Sequence, residues 1–203
     1  MLSDLLTTYW LPLYRYVCNR GLDRDAAQDA VQGFFTDFLE RDVIDRLDPE
    51  RGSLRGLLKT SIRNYINRER QRQQTIKRGG TTRIVQIGEM DLADAKAEDP
   101  ETAFDRAWAE TVFERASQRL QAEFATGRRR GPITAFLDYF QSDALDYRVC
   151  AERHDMTVTG LKSFMHRTRK RYRSLLLEEI GDTLAKGSDP EAELHYFVDL
   201  LQR

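Results

Sequence analysis

Apolar side chains recur at three- and four-residue spacing through most of this chain, and this spacing constrains the fold more than any other feature. Residues at i, i+3, i+4 and i+7 share one face of a helix, so each such stripe predicts a helix with one buried side. Stripes run through 6–17, 27–38, 54–66, 104–120, 133–140 and 194–201. The stretch 81–87 could be extended, but no partner strand is visible. The sequence therefore predicts an all-α fold.

Capping residues predict where several of these helices begin and end. Asp23 and Ser53 are candidate N-caps because their side-chain oxygens can accept the first free N–H groups. The run 99–101, Asp-Pro-Glu, combines an N-cap, a proline at the first helical position and an acid in the first turn. Lys-Arg-Gly-Gly at 77–80 ends the third helix, and Gly181 is a natural C′ residue.

Periodicity is lost after Gln74, and the polar, acidic stretch that follows indicates a linker. We therefore expect two small helical domains joined by a flexible linker. The predicted segments are a domain at 1–76, a linker at 77–103, a second domain at 104–180 and a C-terminal helical extension at 181–203. The apolar stripe of the extension predicts packing against a neighbouring domain, with a regulatory flap or a docking segment for a partner as the alternative.

Several classes of protein are disfavoured by what the sequence lacks. No apolar run is long enough for a membrane span, and the N-terminus does not resemble a signal peptide. Cys18 and Cys150 are far apart and lie in apolar-periodic stretches, which favours buried thiols and a cytoplasmic location. The three histidines lack metal-ligand spacing, and no nucleophile motif or phosphate loop is present. We expect no enzyme activity, metal or cofactor.

Charge is segregated along the chain although the net charge is only −1. Residues 51–83 hold ten lysines or arginines and a single acid, Glu69, whereas 89–123 hold ten acids and four basic residues. Residues 162–173 hold six basic residues and no acid. Solvated helix faces would also give charge blocks, but both basic blocks lie on amphipathic helices. Two basic blocks flanking an acidic one predict a polyanion bound at two places.

The second basic block forms the outer face of a predicted helix within 157–173. Leu161, Met165, Thr168 and Tyr172 share one side of that helix. The opposite side carries groups that hydrogen-bond base edges or phosphates. These groups are Thr159, Lys162, Ser163, His166 and Lys170.

A short helix over 145–155 and a tight turn at 155–156 precede this helix. That order is the geometry of a helix–turn–helix, whose second helix enters the major groove. An ordinary helical hairpin with a solvated basic face is the alternative. The dense arginines argue against it, because like charges four residues apart destabilise a helix that has no polyanion beside it.

The first basic block has a comparable pattern. Lys59, Arg63, Asn67 and Arg70 lie on one side of the helix that follows Ser53, where arginines suit phosphates and asparagines suit base edges. The turn at 48–55 could hold a base extruded from a duplex. From periodicity alone, an N-cap and an ordinary surface loop explain this turn better.

Three blocks of the chain resemble sigma-70 family transcription initiation factors of the extracytoplasmic-function type. Residues 27–39, AQDAVQGFFTDFL, resemble the family pattern AEDLVQExF. Residues 47–70, LDPERGSLRGLLKTSIRNYINRER, resemble FDPxxGxFRxWLxxIARN. Residues 147–173, YRVCAERHDMTVTGLKSFMHRTRKRYR, resemble YxEVAxxLGMSxxxVKxxxHRxRxRYR. The blocks occur in the family's order and span nearly the whole chain.

The third block departs from the family pattern at three places, and at the first of them the acid expected near Val149 is absent. The family's Leu-Gly before the turn is His154-Asp155 here, and Asp tolerates the left-handed backbone conformation less well than glycine. Gly160 lies in the first turn of the recognition helix, where glycine costs up to about 1 kcal/mol relative to alanine.

The resemblance implies a role for each matching position. The residues implied to dock on core RNA polymerase are Asp29, Gln32, Phe35 and Leu39. Those implied to capture a flipped −10 base are Arg51, Ser53 and Arg55. Those implied to contact the −10 element are Arg63, Asn64, Asn67 and Arg68. Those implied to read the −35 element are Thr159, Lys162, Ser163, His166 and Arg167, with Arg169 and Arg171 on phosphates.

What the resemblance implies is a promoter-specificity subunit made of sigma domain 2 and a helix–turn–helix sigma domain 4. Its partners would be core RNA polymerase and promoter DNA, without a membrane, and an anti-sigma factor remains open. One alternative is a stand-alone helix–turn–helix regulator that never binds polymerase and needs only 145–173. Another is a degenerate family member that serves as a protein-interaction module.

Overall fold

The chain is helical throughout the part that the structure describes. A computed structural model describes residues 2–40, 53–79, 98–129, 131–141, 146–184 and 187–202. Its helices are α1 (Leu2–Asn19), α2 (Arg24–Glu40), α3 (Leu54–Gly79), α4 (Pro100–Ala125), α5 (Ile133–Gln141), α6 (Tyr147–Arg153), α7 (Val158–Gly181) and α8 (Pro190–Gln202). No strand occurs in these ranges, and the predicted all-α fold is confirmed. The turn at 47–52, the stretch 81–87 and most of the linker lie outside the described residues.

The predicted N-caps start their helices. Asp23 Oδ1 accepts the N–H of Ala26 at 2.8 Å, and α2 begins at the next residue after the cap. Ser53 and Asp99 each accept the N–H three residues on, both at 3.1 Å, and they start α3 and α4. Each bond satisfies one of the N–H groups that a helix start leaves without a partner, so these boundaries follow from local chemistry.

The described helices fall into two compact units. Unit 1 comprises Met1–Thr111 and Thr183–Arg203, which contain α1, α2, α3, the first part of α4 and α8. Within it, α2 packs against both α1 and α3. Gly33 permits the second contact, because a Cβ at this position would collide with the Tyr65 hydroxyl of α3. The fully buried side chains include Tyr9, Leu13, Phe34, Leu58, Ile62, Phe104, Trp108 and Phe197.

Unit 2 comprises Val112–Asp182, which contain the rest of α4, α5, α6 and α7. Its core side chains include Val112, Ala116, Leu120, Phe136, Cys150, Leu161, Met165, Leu175 and Ile180. The helix predicted over 145–155 is present as the shorter α6, and the basic helix predicted within 157–173 is part of α7. Gly181 is not the C′ residue that the sequence predicts, because α7 includes it and Asp182, in the right-handed helical conformation, is the cap.

The division into units differs from the predicted segments in two respects. The boundary lies inside α4, between Thr111 and Val112, and not at the linker. The C-terminal extension belongs to unit 1, where the Phe197 ring lies 4.8 Å from the Trp108 ring. The apolar stripe of α4 continues without a break across the boundary. Periodicity therefore identifies which side of α4 is buried, but it does not show which unit each turn of α4 belongs to.

Candidate nucleic-acid interface

Helix α7 separates its side chains as the sequence predicts. Thr157 caps it, with Oγ1 accepting the Gly160 N–H at 3.0 Å. A Cβ at Gly160 would lie 2.9 Å from that oxygen, so glycine keeps the cap in place. The inner side buries Leu161, Phe164, Met165 and Thr168. The outer side exposes Thr159, Lys162, Ser163, His166, Arg167, Arg169, Lys170 and Arg173.

The turn before α7 is a Schellman motif with aspartate at its left-handed position. The Met156 N–H bonds to the Ala151 carbonyl at 2.9 Å, and the Asp155 N–H bonds to the Glu152 carbonyl at 3.3 Å. Asp155 has φ +53°, so the backbone adopts here the conformation for which the family has glycine. The helix–turn–helix thus forms without glycine, at some cost in backbone strain.

His154, the C-cap of α6, is held by a polar contact. Its Nε2 lies 2.8 Å from Asp138 Oδ2 on α5, and its side chain is only 12% exposed. His154 stands where the resembled family pattern has leucine, and it has a hydrogen-bonding partner beside the turn.

Replacing Asp155 by glycine is expected to stabilise unit 2 by about 0.5–1 kcal/mol, because glycine adopts positive φ without a Cβ clash. Opening of unit 2 can be followed by the reaction of the buried Cys150 thiol in a Cys18→Ser background. Asp155→Gly should slow this reaction. Asp155→Ala, which keeps the Cβ, is the matched control, and equal rates for the two variants would contradict the strain argument.

Arg171 differs from the other predicted −35 residues, because it is held in an ion-pair network inside unit 2. Its Nη2 lies 2.6 Å from Glu123 Oε1, and its Nη1 lies 3.0 Å from Glu178 Oε1. Its side chain is 25% exposed. Two carboxylates therefore neutralise its charge, and its guanidinium joins α7 to α4.

The same network makes the stability of unit 2 depend on pH. The hydrogen bond from Arg171 lowers the pKa of Glu123 below its ordinary value of about 4.5, against the opposing effect of burial. A lowered folded-state pKa gives stability that is present above the ordinary pKa and is lost as the pH falls through the folded value.

Wild type should therefore be more stable than Glu123→Gln near neutral pH, and this difference should shrink as the pH falls below about 4.5. The rate of Cys150 reaction in the Cys18→Ser background measures this difference at each pH. The substitution Glu114→Gln, at an exposed position on the same helix, serves as the charge control. A difference that does not change with pH would contradict the assigned role of the network.

Two tyrosines lie beneath the cations of the outer face of α7. The Lys162 Nζ lies 5.8 Å from the centre of the Tyr147 ring, and the Arg169 guanidinium lies 5.4 Å from the centre of the Tyr139 ring. The two rings are 4.7 Å apart. Burial raises the pKa of Tyr147, and a hydrogen bond with Tyr139 acts in the same direction. These cation–π contacts restrict where the two cations can point.

In unit 1, α3 exposes a polar face made of four predicted −10 residues. These residues are Arg63, Asn64, Asn67 and Arg68. Arg68 pairs with Asp37 of α2 at 2.9 Å and lies over the Tyr65 ring at 5.9 Å. Ser53 caps α3, and Arg51 lies outside the described residues. The structure thus brings four of the predicted −10 residues together on one face.

Arg55 lies apart from that face, within the packing of unit 1. Its guanidinium lies 5.3 Å from the Trp108 ring centre and 4.9 Å from the Phe197 ring centre. It pairs with Glu193 of α8 and, at 3.6 Å, with Asp105 of α4, and its side chain is 16% exposed. One turn further along α3, Lys59 pairs with Asp105 at 3.2 Å. These two cations join α3 to α4 and α8.

The predicted polymerase-docking residues occupy different environments on α2. Asp29 and Gln32 are exposed, and Leu39 is half-buried. Phe35 is 3% exposed, and its ring stacks on Trp10 of α1 with centroids 6.1 Å apart. Phe35 therefore contributes to the core of unit 1, and the exposed side of α2 is formed by its neighbours.

Sequence reasoning did not assign Tyr139 or Tyr147 to the interface. Tyr147 begins the third block of the resemblance, but its contact with Lys162 depends on how α6 packs on α7. Arg128 and Arg129, which the sequence places in a connection, also lie close to Arg167 around one groove. The only sequence feature that indicated this groove was the run of three arginines at 128–130. Spacing along the chain did not show that these arginines lie beside Arg167.

The part of the chain that the structure describes contains no cluster of metal-ligating side chains and no membrane-spanning helix. No group of three histidine, cysteine or acidic side chains is placed to hold a metal ion there. None of the described helices has the length and apolar character needed to cross a bilayer.

Comparison of the chain with protein-family models, with curated proteins and with solved structures finds no match.

Proposed function

We propose that this chain is a promoter-specificity subunit of bacterial RNA polymerase, of the extracytoplasmic-function sigma type. In this proposal it acts in the cytoplasm, binds core enzyme, recognises the −10 and −35 elements and promotes melting of the promoter. It has no catalytic chemistry and no cofactor of its own. The observation that carries the proposal is the exposed cationic face of α7, which follows α6 and a tight turn in helix–turn–helix order.

Helix α7 would lie in the major groove at the −35 element. The groove is wide enough for a helix, and each base pair presents a distinct pattern of donors, acceptors and methyl groups there. Thr159, Lys162, Ser163, His166 and Arg167 offer both donors and acceptors at the outer face, while Arg169 would hold phosphate. Leu161 and Met165 on the inner face are buried in the core of unit 2, so they fix the orientation in which α7 presents its outer face.

The exposed face of α3 would contact the −10 element. Asn64 and Asn67 carry amides that can pair with base edges, and Arg63 and Arg68 can hold phosphates. Arg55 and Lys59 would stabilise unit 1 beneath this face, since both are paired with acids of the same unit. Capture of a flipped base remains an implication of the resemblance for Arg51 and Ser53.

The exposed side of α2 would bind core polymerase through Asp29, Gln32 and Leu39. Co-purification of the full chain with core RNA polymerase tests the proposal. Asp29→Arg should abolish co-purification through charge reversal at the contact. Asp25→Arg, an exposed acid in the first turn of the same helix, is the matched control and should leave it intact. A folded wild-type chain that fails to bind core enzyme would refute the proposal.

A stand-alone helix–turn–helix regulator is the second candidate. It is favoured by the burial of Phe35 and by the pairing of Arg55, two residues for which the resemblance implies contacts with partners. Such a regulator would bind duplex DNA with unit 2 and would show no dependence on polymerase. DNA binding that persists while co-purification with core enzyme fails would identify it. If the chain binds neither DNA nor core enzyme, the remaining interpretation is a protein-interaction module.

A further inference from the structure

A groove of about 490 Å³ lies in unit 2 beside the outer face of α7. Phe124 and Phe164 form its aromatic part, and their rings meet edge to face with centroids 5.8 Å apart. Three arginines, Arg128, Arg129 and Arg167, and one acid, Glu123, complete the charged lining. The groove therefore carries an excess of positive charge next to an exposed DNA-reading candidate, Arg167.

The acid of the groove is already compensated. Glu123 Oε2 accepts the Nε–H of Arg129 at 2.9 Å, and Glu123 Oε1 accepts an N–H of Arg171 at 2.6 Å. Arg128 and Arg167 are exposed and make no ion pair with any residue in the described ranges. Their charges are therefore available to an anion that enters the groove.

The loop between α4 and α5 holds Arg128 close to α7. The Arg129 N–H bonds to the Glu123 carbonyl at 3.0 Å, and this bond folds the loop back onto the end of α4. Gly131 has φ +124°, and a Cβ there would lie 2.5 Å from Cε2 of Phe164. At Gly131 the loop backbone thus approaches the Phe164 ring of α7 more closely than a residue with a Cβ would allow.

We propose that this groove binds a phosphate of the DNA backbone, with Arg128 and Arg167 as its ligands. The proposal rests on the proposed function, because α7 must lie on DNA for the groove to meet a phosphate. Guanidinium groups suit this ligand, since their planar N–H groups pair with two phosphate oxygens at once. Arg128 would extend the interface beyond the helix–turn–helix and would fix the register of α7 without reading sequence.

Backbone contacts are independent of sequence, so a duplex of mixed sequence is a sufficient probe. The full chain, alone and in complex with core RNA polymerase, is titrated into a fluorescein-labelled duplex of about 24 base pairs at several salt concentrations, and the slope of log K against log salt is measured. Arg128→Gln should reduce the magnitude of this slope by about 0.9 and weaken binding roughly five- to tenfold near 0.1 M salt. Arg24→Gln, an exposed arginine at the start of α2, is the control for net charge and should leave both unchanged.

The outcomes separate this proposal from the proposed function. If Arg128→Gln matches wild type while Arg167→Gln weakens binding, the groove is not a phosphate site although α7 still binds DNA. If wild type binds no duplex either alone or in complex with core RNA polymerase, both the groove assignment and DNA binding by α7 fail. Titration with inorganic phosphate, followed by broadening of the ³¹P line, tests whether the groove binds a free phosphate ion instead of a phosphate of the DNA backbone. Broadening that requires Arg128, with DNA binding unchanged in Arg128→Gln, would overturn the assignment to the DNA backbone.

Discussion

Replacing Phe197 by alanine is expected to lower the free energy of unfolding of unit 1 by about 3–5 kcal/mol, the usual cost of truncating a buried aromatic side chain. Phe197 is fully buried, its ring lies 4.8 Å from Trp108, and the Arg55 guanidinium lies against it. Truncation would leave a cavity and would remove one of the two rings that enclose that cation. Tryptophan fluorescence in a urea titration measures the effect, because both tryptophans, Trp10 and Trp108, belong to unit 1.

The neighbouring residue on α8 provides the control. Tyr196 is 44% exposed, and its hydroxyl donates to Asp105 at 3.1 Å. Tyr196→Ala removes a side chain of similar size but should cost only about 1 kcal/mol, mainly through this hydrogen bond. Equal effects of the two substitutions, or an unchanged urea midpoint in Phe197→Ala, would show that α8 is not part of the core of unit 1.

Replacing Lys162 and Arg167 together by glutamine is expected to weaken duplex binding on the order of 50-fold near 0.1 M salt, because each cation held in the groove of the DNA displaces about one counterion, whether it contacts a base edge or a phosphate. Both side chains are exposed on the outer face of α7, and the two changes remove no buried contact of unit 2. The magnitude of the salt slope should fall by about 1.8. Fluorescence anisotropy with a labelled duplex measures both quantities on the full chain.

Arg171→Gln is the informative comparison, because it removes the same charge from the same helix. Its guanidinium pairs with Glu123 and Glu178, so the salt slope should stay at the wild-type value. Stability of unit 2 should instead fall by about 1–3 kcal/mol, since the two acids lose a shared partner. A reduced slope in Arg171→Gln, or an unchanged one in the double variant, would contradict the assignment of the outer face of α7.

Local chemistry explains why the helices and their starts could be predicted from the sequence. A stripe at helical spacing and a capping side chain such as Asp23 or Asp99 act within a few residues of each other. The two faces of α7 follow from the same geometry, because 100° per residue places Leu161 and Lys162 on different sides. The tight turn predicted at 155–156 also forms, with Asp155 in the positive-φ conformation that glycine adopts more easily.

The partners of charged residues could not be predicted in this way. Arg55 and Arg63 both lie in the basic block of α3, and their spacing in the sequence does not show that one is paired with an acid and the other is exposed. Arg55 meets Glu193, which is distant in sequence, only because α8 packs against the aromatic side chains of unit 1. Arg171 meets Glu123 for a similar reason in unit 2. Whether a cation is available to DNA therefore depends on tertiary contacts that a linear pattern does not contain.

The return of α8 to unit 1 has a consequence for biosynthesis. Residues of α8 leave the ribosome after all of unit 2, yet they complete a core that begins with α1. A nascent chain that has not yet released α8 therefore lacks the Phe197 ring that packs against Trp108 and Arg55. Folding of the amino-terminal half is thus completed after translation of the carboxy-terminal half, which reverses the usual vectorial order.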